Sequence, residues 1–419
     1  MSHSAIVFWM MAGCSTRPPV AEGVETPPPT LADARAFYAA QPQMLRPFPY
    51  TPTPAGLTDL RAETCGSCHQ EIYAEWTVST HAHAWEGDPQ FQAELHKSTQ
   101  PDSDVGWMCV NCHTPLENQL PKLVGRLEGG ARNQPVYVDN PNFDRALQLE
   151  AITCAGCHVR DGVILGPWGD SAAPHPVKKS ERLLSADACT QCHQANAHFP
   201  ELTLACMFNT GEEWANSPAA AEGQRCQSCH MPEVERPVVP WGQPRQTRRH
   251  WFGGSLIPKT PADAADLKPL EDVYPEGMSV SWAQLPDALT AGAQASVSVR
   301  YINDAAGHWL PSGDPERFIL VTLRARDAQG AVLAEAEAKI GKVVEWYPEI
   351  RVQSDNRLKP GEARELSLAF TPTNAGPVQI EVEASKWRIT EENLAYHDLQ
   401  GEVVPGRVFF SDVRPLAVR

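Results

Sequence analysis

After the short apolar stretch Ala5–Met11, no run in this 419-residue chain is long enough to cross a bilayer as a helix. Positive charge is also short. Lys and Arg number 35 against 51 Asp and Glu, a formal net charge of −16. That balance argues against nucleic acid or an anionic membrane surface as a partner. Met1–Ser4 holds neither Lys nor Arg, although an export signal normally carries one. Cysteine is absent after Cys229, so whatever the thiols do is confined to the first part of the chain.

Ten of the twelve cysteines fall into one repeated pattern, C-x-x-C-H. The copies are Cys65-Cys68-His69, Cys109-Cys112-His113, Cys154-Cys157-His158, Cys189-Cys192-His193 and Cys226-Cys229-His230. Two thiols three residues apart share one face of a helical turn, so both can form thioethers with one porphyrin. The histidine that follows is then held over the ring, where it can ligate the iron. Zinc sites also use paired cysteines, but zinc does not require histidine after every pair. Disulfides account for an even cysteine count and not for the histidines. The pattern therefore predicts five covalently attached haem c groups.

At the N-terminus, Ala5–Met11 leads into Met11-Ala12-Gly13-Cys14, which resembles the lipobox of bacterial lipoproteins. The resemblance implies a signal over 1–14, lipidation of Cys14 and, from Ser15, sorting to the outer membrane. Residues 15–58 contain ten prolines and read as an extended tether, with a short helix over Leu31–Gln41.

Residues 59–258 read as the haem region. The first cysteines of successive motifs lie 44, 45, 35 and 37 residues apart. That is too little protein to bury five porphyrins separately, so the haems are expected to pack on one another within short helices and loops. The region has 24 acidic and 15 basic residues, a net of −9, which would steer a cationic redox partner toward it in a salt-dependent way. The second axial ligand decides between carrier and enzyme, because two histidines per iron leave no position for substrate. Besides the five motif histidines and His3, eight remain: His81, His83, His96, His175, His198, His250, His308 and His397.

The stretch Trp76-Thr77-Val78-Ser79-Thr80-His81-Ala82-His83 resembles the W-x-x-S-x-H element of multihaem cytochromes related to tetrahaem cytochrome c-554. In that family the first histidine is a ligand, which implies this role for His81. His83 is the candidate for a further iron. Cys109–Gln119, Cys154–Pro176 and Cys226–Gly254 are similar to other blocks of the same family, and they point to His175 and His250. His96, His198 and His397 lie outside these blocks and read as structural. Met207, Met231 and Cys206 are weaker ligand candidates, and Trp76 and Trp214 read as packing groups.

From Met278 apolar and polar residues alternate. Val297, Val299 and Tyr301 are followed by Ile319, Val321 and Leu323, and later by Val378, Ile380 and Val382. The period of two predicts an all-β immunoglobulin-like sandwich of about seven strands over 278–419, joined through a linker at 259–277. The fold class is thus α+β multidomain, a mostly helical and loop cytochrome region followed by the sandwich. Gly307-His308-Trp309-Leu310-Pro311-Ser312-Gly313 resembles the G-H-x-x-P-T-G loop of β-domains fused to multihaem cytochromes. That resemblance suggests that His308 reaches back to a haem.

The resemblance implies an exported pentahaem cytochrome, lipid-anchored at the periplasmic or cell surface. It would pass electrons between redox proteins, an outer-membrane porin complex among them. No catalytic residue is required. The rivals are an oxidoreductase acting on nitrogen oxides or hydroxylamine, and a subunit of an extracellular cytochrome filament. Nitrite reductases of this kind usually carry lysine in place of one motif histidine, and none is replaced here.

Overall fold

Each cysteine motif folds as a short helical turn. The helices are Ala62–Gly66, Val110–His113, Cys154–His158, Asp187–His193 and Cys226–His230. None is long enough to persist on propensity alone, so each depends on what packs against it. The computed structural model describes residues 27–419 apart from 170–171, 203, 347 and 373–375. Cys14, the expected signal and the first part of the expected tether lie outside the described residues. No helix among the described residues is long and apolar enough to cross a membrane.

Residues 27–58 differ from the extended tether that their prolines suggest. Leu31–Ala39 is a helix opened by a Thr30–Asp33 capping box. Leu31, Ala34 and Tyr38 recur at helical spacing, and this face packs on Leu123, Val124 and Trp107. Phe37 meets Trp107 edge to face at 5.5 Å. Downstream, Phe48 N–H donates to Pro115 O and Thr51 N–H to the Asn118 side chain. The prolines shape a strap bound to the haem region.

The expected linker at 259–277 is also folded. Short helical turns cover Pro261–Asp272, and Leu267, Leu270 and Tyr274 are buried with Leu256. Sheet in the cytochrome region is limited to small ribbons, such as Lys122–Leu127 with Pro135–Asp139.

The C-terminal part is two sheets around one continuous core. The strands are β1 (Met278–Gln284), β2 (Ala295–Asn303), β3 (Phe318–Arg326), β4 (Val332–Glu345), β5 (Arg351–Asp355), β6 (Ala363–Phe370), β7 (Val378–Trp387) and β8 (Gly406–Val418). One sheet has the order β1-β2-β6. The other runs β8-β7-β3-β4-β5, with the short strand Ala288–Leu289 added in parallel on β8. Alternate residues of β2, β3 and β7 point inward: Val297, Val299, Val321, Leu323, Ile380 and Val382 are almost wholly buried.

Buried charge ties the two parts together. Asp88 caps the helix Pro89–Ser98, and its carboxylate holds Lys259 and, at 2.8 Å, Arg388 from just beyond β7. Glu213 accepts from Arg357 and, at 2.6 Å, from Ser312. Burial alone would raise the Asp88 carboxyl, but Lys259 and Arg388 hold it down at about 2.

Replacing Leu323 by Ala should destabilise the β-domain by about 2–5 kcal/mol, read from denaturant unfolding. Asp88→Asn should cost about 3–5 kcal/mol at neutral pH by leaving two buried cations unpaired. Since the folded carboxyl is depressed, its contribution is complete above about pH 4 and disappears as pH falls through about 2. Acid unfolding of wild type and variant should therefore converge over that window.

Candidate functional site

The five motif helices surround a cavity of about 2050 Å³. That exceeds the ~300–1,000 Å³ of an ordinary small-molecule pocket. All ten motif cysteines face it, and all five motif histidines line it. Neighbouring motifs touch through their thiols. Cys65 meets Cys154, Cys112 meets Cys192, and Cys189 meets Cys226. The first motif is thus beside the third, and the fourth is beside both the second and the fifth.

Three motif histidines face a second imidazole across the cavity. His193 and His81 have ring centres 6.3 Å apart, His158 and His250 6.3 Å, and His230 and His308 6.2 Å with rings only 7° from parallel. A metal–imidazole bond is about 2 Å, and Nε2 lies roughly 1 Å from its ring centre, so two rings sharing one metal stand about 6 Å apart. The residues present therefore fit iron held between paired histidines. His175 lies near enough to His69 for the two to repel when protonated, and its Nδ1 is buried without a partner.

The ring orientation has a common cause. Nδ1 of His69, His113, His158, His230, His250 and His308 each meets a backbone carbonyl: Val238, Ala84, Leu165, Gly253, Arg248 and Trp309 respectively. A carbonyl only accepts, so Nδ1 carries the proton and Nε2 is left with its lone pair for a metal. Burial, more than any neighbour, pushes His81, His113, His158, His193, His250 and His308 toward the neutral form. His81 falls to about 3, and His113, His193 and His250 to about 4.

Second-layer groups hold the distal segments. Glu75 accepts from Arg236 and Arg249, and also from the His250 backbone N–H at 2.9 Å. Trp76 donates to Ile152 O and Trp214 to Gln224 O, as packing groups do. Phe252, in the left-handed region at φ 51°, sits 4.5 Å from His81 and 5.7 Å from His250.

One expectation needs correction. His83 is not available as a ligand: Nδ1 meets Asp263 at 3.0 Å and Nε2 meets Thr77 O at 2.9 Å, so both ring nitrogens are engaged. His113 is paired with no second histidine among the described residues. Phe91 stacks on it instead, ring centres 3.4 Å apart and 5° from parallel. His96 and His198 are exposed, and His397 Nδ1 meets Lys97. Phe91 and Phe252 carried no motif. The one available signal was Phe91's place on the helix capped by Asp88.

Residues 64–129, which span the first two motifs, match the family model for cytochrome c554 and c-prime. A penta-heme cytochrome c552 from Thermochromatium tepidum shares the fold. Its TM-score is 0.60 at 18% identity, over 87% of this chain and 100% of the other. The CARDB domain of PF1109 from Pyrococcus furiosus also aligns, at TM-score 0.19 and 17% identity over 34% of this chain and 85% of the other. Comparison with curated proteins gives no match. Five attachment motifs, a family match at the first two and a shared fold over most of the length identify the chain as a multihaem c-type cytochrome with a fused C-terminal β-domain.

Proposed function

We propose that the chain carries five haem c groups and passes electrons among them between periplasmic or cell-surface redox proteins. The observation that carries this reading is the set of imidazole pairs spaced 6.2–6.3 Å across one thiol-lined cavity. His69, His113, His158, His193 and His230 are the proximal ligands. His81, His175, His250 and His308 are the distal ligands of the fourth, first, third and fifth motifs. When bound, the haems supply the redox chemistry. The protein supplies spacing, ligands and local charge.

The route follows the contacts between motifs. The first haem neighbours the third through Cys65 and Cys154. Phe252 bridges the distal sides of the third and fourth. The fourth then adjoins the second and the fifth. The fourth haem is thus a junction, and electrons arriving from the first would leave by either of two branches. Export, lipidation at Cys14 and an outer-membrane location remain part of this reading through the lipobox-like sequence. Redox partners would include other cytochromes and a porin-bound complex.

A second reading is favoured by His113. His113 is paired with no second histidine among the described residues, and Phe91 stacks on the face of its imidazole at 3.4 Å, too close for a metal to lie between the two rings. An iron held by His113 alone would keep a position for a small molecule, which is the arrangement needed by an oxidoreductase acting on nitrogen oxides or hydroxylamine.

Mass spectrometry of mature holoprotein should show five covalently bound porphyrins; none would end both readings. In the reduced protein, carbon monoxide should bind one iron. His308→Ala should add a second carbon-monoxide-binding iron. Wild-type protein that binds none would remove the oxidoreductase reading and require a distal ligand at His113.

A further inference from the structure

Two arginines of the β-domain enter the haem cavity with donors that meet no acceptor. Arg317 stands just before β3, and its Nε is buried and unpartnered. Arg388 stands just after β7 and is nine-tenths buried. Its Nη2 donates to Asp88 at 2.8 Å, while Nη1 is buried and unpartnered. Lys259, from the other part of the chain, shares Asp88 with Arg388. All three line the cavity. A guanidinium has five donors in a fixed plane, and burying some of them unmet is costly unless an acceptor arrives.

The neighbouring carboxyls do not meet this demand. Asp88 is already divided between two cations, and Asp314 lies beside Arg317. Burial, reinforced by Asp314, pushes Glu94 up to about 8 and Glu316 up to about 7. Both therefore tend to hold protons near neutrality, and three cations face Asp88 and Asp314. The cluster has a defined place among the irons. Arg317 acts on His193, and Lys259 acts on His81 and His113. It lies where the haems of the fourth and second motifs would adjoin.

We propose that Arg317, Arg388 and Lys259 bind haem propionates at this junction. The inference rests on the cytochrome reading above. Propionates are carboxylates fixed to the porphyrin edge, and the planar fork of arginine suits them better than a lysine point charge does. The β-domain then grips the cofactor in two ways: through His308 at the fifth motif's iron and through guanidinium pairs at the fourth and second. The cations also raise the reduction potential of the haem they serve. Reduction removes one positive charge from the iron, so nearby positive charge favours the reduced form.

The test is spectroelectrochemical titration of haem-loaded protein. Arg317→Gln and Arg388→Gln should each move one reduction wave to lower potential and leave the others in place. Arg364→Gln, half-buried, paired with Glu362 and outside the cavity lining, should move none. Should the glutamine variants fail to accumulate, Arg317→Lys and Arg388→Lys keep the charge and should hold the potential closer to wild type. Unmoved waves in both glutamine variants would overturn the proposal. So would a wild-type potential that shifts with inorganic phosphate at constant ionic strength, since that would make the cluster a site for free anions. Either result leaves the cytochrome reading intact; absence of covalent haem would sink both.

Discussion

The interior between the five motifs is held open by cofactor-attachment sites instead of being filled by side chains. In the β-domain one continuous cluster of aliphatic residues from both sheets closes the core. The cytochrome region has only separated clusters at its periphery. One lies under the Leu31–Ala39 helix, one around Leu116 and Leu147, one around Trp85 and Phe91, and one around Leu267 and Tyr274. Each is too small to organise the whole. Filled by the porphyrins proposed above, the centre would gain its apolar core, and cofactor attachment would be coupled to folding, as in other proteins whose ligand binds only the folded state.

That coupling explains why so much backbone is spent on orienting imidazoles. Six histidines give Nδ1–H to carbonyls, and four of the acceptors lie more than twenty residues away or in a separate ribbon or loop. A ring held this way keeps one tautomer and one direction, which makes Nε2 a better-placed and more basic ligand. Glu75 extends the same logic outward. Pinned by Arg236 and Arg249, it fixes the backbone from which His250 projects. This buried cluster is tolerable because its charges are matched and hydrogen-bonded.

The β-domain forms part of the cavity wall and is not an appendage beside it. Its His308 loop faces His230, Ser312 and Arg357 meet Glu213, and Arg388 meets Asp88. His230, His308, Ser312, Asp88 and Arg388 all line the cavity. Relative movement of the two parts would therefore disturb a ligand and a charge cluster together. The folded segment 259–277 reinforces this, since Tyr274 donates to the His230 carbonyl.

Sequence alone determined the attachment chemistry, because C-x-x-C-H is local: the turn that aligns two thiols also presents the histidine, whatever surrounds it. It also determined the sandwich, since a period of two along Val297–Tyr301, Ile319–Leu323 and Val378–Val382 has one buried-face solution. The strap at residues 27–58 was partly legible in Leu31, Ala34 and Tyr38, whose apolar spacing outweighs the surrounding prolines. Tertiary structure alone decided which histidines meet. His81 follows the first motif yet faces the fourth, and His250 follows the fifth yet faces the third. His83, two residues beyond His81, is turned away to Asp263 and Thr77, and Phe91 stacks on the face of His113. Pairing across a cavity depends on the packing of segments distant in the chain, and no local spacing encodes that.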